Sequence, residues 1–107
     1  MLTFTATGLD ISENNETGFS VSEVIPNPFS REARIYVNIP ETGKLKIEVL
    51  DLRGVVIKTL FEKSVESQKL EIKIEGDELK QGMYFVHVRY QSDGVLKDVL
   101  RKVVVNN

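Results

Sequence analysis

The chain is 107 residues long, enough for one domain and too short for two of ordinary size. Its 41% hydrophobic and 28% charged residues form an ordinary globular mix, and such a chain buries roughly 65% of its unfolded surface, enough for a core without covalent staples. Lys+Arg 14 against Asp+Glu 16 leaves a formal charge of -2, which argues against a phosphate-tracking nucleic-acid surface, and the absence of cysteine excludes disulfides and thiol chemistry.

No stretch approaches the ~18 consecutive apolar residues of a membrane span, so no membrane insertion is expected. Residues 1–8 lack a basic n-region and a long apolar run, so they do not read as a signal peptide. If the domain is exported, its leader is expected upstream, in a larger parent. Residues 11–18 are polar and turn-rich, which marks 1–18 as a flexible linker or the remnant of a preceding region. Asn15-Glu16-Thr17 matches the acceptor triplet for N-glycosylation, a pattern short enough to arise by chance.

The folded part is expected over 19–107. Residues 19–25 read as a first strand, stopped by Pro26-Asn27-Pro28-Phe29: the two prolines fix φ and remove two backbone donors, and Phe29 can tuck into the core. Ala33, Ile35, Val37 and Ile39 alternate with Arg34, Tyr36 and Asn38, the period-two pattern of a half-buried strand. Leu45, Ile47 and Val49 repeat it after Pro40-Glu41-Thr42-Gly43. Asp51-Leu52-Arg53-Gly54 makes the next turn. Residues 55–61 favour a strand, but their apolar side chains fall on both faces and give no inward direction. Leu70, Ile72 and Ile74 alternate cleanly with charged neighbours.

Residues 77–82 predict one helical turn closed by Gly82, with Leu79 and Tyr84 as apolar anchors on either side. Tyr84, Val86, Val88 and Tyr90 share one face of the next strand, opposite Phe85, His87 and Arg89. Asp93-Gly94 between two strand-like runs is a tight-hairpin signal, and the last strand ends in Val103-Val104-Val105. About seven strands with turns every 8–12 residues and no helical period predict an all-β, antiparallel, immunoglobulin-like sandwich.

Chemistry is sparse. His87 is the single histidine, expected mid-strand on an outer face, where a triad or metal site would require a cleft with partners. Asp77-Glu78 and Asp51 could meet on one edge and bind a hard cation, but short acids in turns such as Asp51 and Asp77 also hydrogen-bond their own backbone, which is the favoured reading. No phosphate-binding glycine loop, nucleophile elbow or tryptophan is present. No cofactor, metal site or catalytic residue is expected.

The order Pro-Asn-Pro-Phe, Pro-x-x-Gly, Asp-Leu-x-Gly-x-Val-Val, Leu-x-x-Gly-x-Tyr-Phe-Val and a Lys-Val-Val-Val ending resembles the C-terminal sorting domain of type IX secretion cargo (type A, Por secretion family), over residues 19–107. The resemblance implies a non-catalytic module at the end of a larger, fused N-terminal cargo. The cargo would be exported through the periplasm to the surface or medium of a Gram-negative bacterium. An outer-membrane translocon would read the module, and a surface sortase would remove it by cleavage in the linker before Phe19.

The residues carried over are Pro26, Asn27, Pro28 and Phe29, Asp51 and Gly54, Leu79, Gly82 and Tyr84, and Lys102, Val103, Val104 and Val105. Asp98-Val99-Leu100-Arg101 departs from the pattern and leaves the last strand's register open. The terminal valines could pair with a receptor as an edge strand or could close the core. The alternative function is an immunoglobulin-like spacer or adhesive domain, similar in pattern to that of flagellar hook-cap proteins. A carbohydrate-binding version would use Tyr36 and Tyr90 as a platform.

Overall fold

The computed structural model describes residues 18–107. The linker expected over 1–18, Gly18 aside, and the Asn15 triplet lie outside the described residues. Among the described residues seven strands form: β1 (Ser20–Val21), β2 (Glu32–Ile39), β3 (Gly43–Leu50), β4 (Val56–Val65), β5 (Gln68–Glu75), β6 (Gly82–Ser92) and β7 (Val95–Val105). They form an antiparallel three-stranded sheet, β1-β2-β5, and a four-stranded sheet, β4-β3-β6-β7. This is the predicted immunoglobulin-like sandwich.

Period-two hydrophobicity builds both layers. Ile35, Val37 and Ile74 from one sheet meet Leu45, Ile47, Val49, Val86, Val88, Val103 and Val105 from the other, all essentially solvent-free. Complete burial of each such side chain contributes about 1.5–3 kcal/mol. The alternate positions of β5, namely Lys69, Glu71, Lys73 and Glu75, are exposed. Asp93 (φ 51) and Gly94 (φ 77) both take positive φ, the mirror-image turn whose twist matches the strands it joins. The β6–β7 pairing then runs unbroken from Ser92↔Val95 to Gly82↔Val105, which settles the register that the sequence left open.

Two elements differ from expectation. The first strand is only two residues long, because Ser22 turns its hydroxyl to the Tyr36 amide (2.9 Å) where a strand would offer a carbonyl. The carbonyls of Val21 and Ser22 instead accept Nη2 and Nε of Arg101, at 2.9 and 3.2 Å. In β4 the ladder with β3 shifts between Ile47 and Glu48 and again between Val49 and Leu50. Each shift inserts a residue and reverses inside and outside, so apolar side chains occur on both faces of β4.

The helical turn forms one residue earlier than predicted, as a 3₁₀ turn at Gly76–Glu78. Gly82 (φ 154) opens β6, a backbone geometry suited to glycine.

Candidate functional site

The strand registers carry most of the singled-out residues to one end of the sandwich. Leu50 lies opposite Phe85, Phe85 opposite Lys102, and Gly82 opposite Val105. In the other sheet Glu32 of β2 pairs with Glu75 of β5 at the same end, so the proline segment, the Asp51 turn, the 3₁₀ turn and the end of β7 share this pole.

Its centre is a clamp between segments remote in sequence. Asn27 donates Nδ2 to the Lys102 carbonyl (2.9 Å) and accepts the Val104 amide on Oδ1 (2.9 Å). Phe29 donates its amide to Val104 O (3.0 Å) and accepts from Asn106 N (2.8 Å), a parallel bridge to Val105. Pro26 and Pro28, both preceded by cis peptide bonds, keep this segment free of competing donors. The Phe29 side chain is buried in the core. Val103 and Val105 close the core, and the outward backbone groups of Val104 are held by the proline segment. The Lys102 side chain is exposed.

The other motifs fix backbone too. Asp51 Oδ1 accepts the amides of Arg53 (2.8 Å) and Val55 (3.0 Å), and Gly54 takes φ 87 to let the chain reverse. The Val55 amide, aided by Arg53, holds the Asp51 carboxyl below its ordinary range. Leu79 is buried, and Tyr84, also buried, donates its hydroxyl to Lys80 O (2.6 Å). Lys58 pairs with Glu78 across the turn.

Three residues here escaped the sequence reading. Gly76 sits so close to the Ser30 backbone that a Cβ would overlap its carbonyl. Asn107 donates Nδ2 to both Gly76 O and Leu79 O, at 2.8 Å each. Arg101 ties β7 to β1. An arginine two residues before the core valine Val103, on the same face of the strand, is the one signal that could have flagged it.

Elsewhere the chemistry stays structural. His87 is mid-sheet on the outer face, with Nε2 2.8 Å from Asp98 Oδ1 and Nδ1 4.0 Å from Glu48 Oε1. Asp98 also accepts Arg89 Nε (3.0 Å), and this bond, with that from His87, lowers its carboxyl below the ordinary range. Among the described residues the imidazole therefore meets carboxylates and no hydroxyl nucleophile. Asp77 is exposed beside the 3₁₀ turn, and among the described residues no group of three or more His, Asp or Glu is arranged to hold a metal ion. Tyr90 is buried, stacked on Phe19 (4.8 Å between centroids), and donates its hydroxyl to Glu41 O, so it cannot pair with exposed Tyr36 as a sugar platform. Among the described residues, no helix is long and apolar enough to cross a membrane.

The geometry thus defines an immunoglobulin-like sandwich whose distinctive residues shape one pole instead of lining a reaction cleft. The family model described as the secretion system C-terminal sorting domain matches residues 23–106, and the chain belongs to that family, whose members carry the sorting signal of type IX secretion. The matched span contains every residue that the resemblance singled out. No curated protein matches the chain.

Proposed function

We propose that this sandwich is a folded address, read by an outer-membrane translocon to carry a fused N-terminal cargo out of the cell. The sandwich itself performs no catalysis. Supporting this is the Asn27 clamp: residues 75 positions apart join to make one surface at the end of β7. Pro26, Asn27, Pro28 and Phe29 shape that surface with Lys102, Val103, Val104 and Val105, while Asp51, Gly54, Leu79, Gly82 and Tyr84 hold the turns beneath it. Cleavage by a surface sortase falls in the linker before Phe19 and leaves the cargo on the surface or in the medium.

The test places the full 107-residue chain behind a reporter that carries its own signal peptide, in a Gram-negative bacterium with a type IX apparatus. The reporter is expected outside the outer membrane, and in the periplasm when the apparatus is deleted. Periplasmic retention of the wild-type fusion would refute the proposal, as would export that does not depend on the chain. Removing residues 103–107 is expected to abolish export, but it also strips Val103 and Val105 from the core. Point variants at the clamp therefore give the cleaner reading.

A further inference from the structure

Two sheets of this kind have four outer strands, and proteins blunt such edges because unpaired backbone groups template pairing with other chains. Three are blunted here. β1 is two residues long, β4 is kinked by two register shifts, and the outward side chains of β5 are all charged. β7 is different: eleven residues pair with β6 without a shift.

Its lower part is already covered. Asn27 and Phe29 take the outward groups of Lys102, Val104 and Asn106, which shows that the even-numbered residues of β7 face away from β6. By the same alternation the outward groups of Leu96, Asp98 and Leu100 continue the row. Leu100 O receives only a long contact from Arg101 Nη1 (3.4 Å), and among the described residues the outward groups of Leu96 and Asp98 have no partner. Leu96 and Leu100 are each more than half exposed beside them.

We infer that residues 95–101 of β7, and not the terminal valines, are the docking strand of this module, and that their occupant is an extended segment of a different protein, added in line with residues 27–29. The inference rests on the sorting reading and locates its contact. The molecule already lays one extended segment on this edge, so the geometry for a second, end to end with it, is set. The incoming segment continues the outer face, with apolar side chains opposite Leu96 and Leu100 and a polar one opposite Asp98, whose carboxylate is already held by His87 and Arg89. A second copy fits poorly. Full antiparallel overlap about a two-fold axis sets Asp98 against its own symmetry mate, and like charges directly opposite destabilise a pair.

The test uses the full chain fused to the exported reporter. Asp98→Pro deletes one outward amide and leaves the backbone ladder with β6 intact, because proline is tolerated on the free side of an edge strand. It is expected to cut export at least tenfold while the purified chain stays folded. Asp98→Ala, which loses the same carboxylate bonds to His87 and Arg89 but keeps the amide, is the control and is expected to leave export unchanged. Glu62→Pro, its counterpart on the free side of β4, is expected to leave export unchanged. If Asp98→Pro fails to fold, Leu96→Asp combined with Leu100→Asp, at two exposed positions, must give the same loss. Wild-type export with edge variants exported equally well overturns this inference alone; an unexported wild type overturns the sorting reading with it. A dimer in sedimentation that Asp98→Pro dissolves would assign the edge to a second copy and overturn the choice of occupant.

Discussion

Replacing Asn27 by alanine removes two of the four hydrogen bonds that join the proline segment to the end of β7 and leaves the Phe29 side chain and its two backbone bonds in place. Both lost bonds are 2.9 Å long and reach backbone groups near solvent, so water can satisfy part of what is lost. At ~0.5–1.5 kcal/mol each, the pair contributes about 1–2 kcal/mol in this setting. For a domain of this size that lowers the melting temperature by about 5–15 °C. The expected assay is a thermal melt followed by circular dichroism, with hydrogen exchange read at the Val104 amide, whose protection should fall. Asn27→Asp keeps the acceptor for Val104 but not the donor for Lys102, and should lie between wild type and alanine. An unchanged melting temperature with Val104 still protected would refute the clamp.

Three further outcomes follow from the packing and the charges. Gly76→Ala drives a methyl into the Ser30 carbonyl, a backbone atom with little room to yield, and is expected to cost about 1–3 kcal/mol in urea unfolding. Arg101→Met keeps the apolar stem but not the guanidinium bonds to β1, so the amides around Ser20 and Val21 should exchange faster while those of β6 do not change. Asp51 and Asp98 have folded-state values below the ordinary 3.8, so their ionised forms stabilise the fold above that pH, and this contribution is lost as pH falls through the lowered folded values. Asp51→Asn combined with Asp98→Asn should flatten the decline in melting temperature below about pH 4.

The fold was legible because burial alternates with period two wherever strands pair regularly, as in Ile35 to Ile39 and Tyr84 to Tyr90, and because Asp93-Gly94 names its own turn. The reading lost direction in β4, where Leu60 and Ile57 are the extra residues at the two register shifts and alternation no longer reports a face. It overextended the first strand because nothing local reveals that Arg101, 79 residues further on, captures the Ser22 carbonyl. The motifs were legible one by one as turn and stop signals. Their convergence was not, since the contact of Asn27 with Lys102 is fixed only by the completed registers of both sheets. Gly76 resembles any turn glycine until the Ser30 backbone is seen against it.

The brevity of β1 has a mechanical consequence. A pull transmitted through Gly18 loads two residue pairs with β2, one Asn38 amide bond to the Gly18 carbonyl (2.6 Å) and the Arg101 guanidinium. The β3–β6–β7 sheet is reached through the side chains of Arg101 and of Tyr90, which stacks on Phe19, and its backbone ladder is not the first to yield. Traction on the chain from the N-terminal side therefore peels off the first few residues like a tab and lengthens the tether, while the pole holding the Asn27 clamp stays assembled.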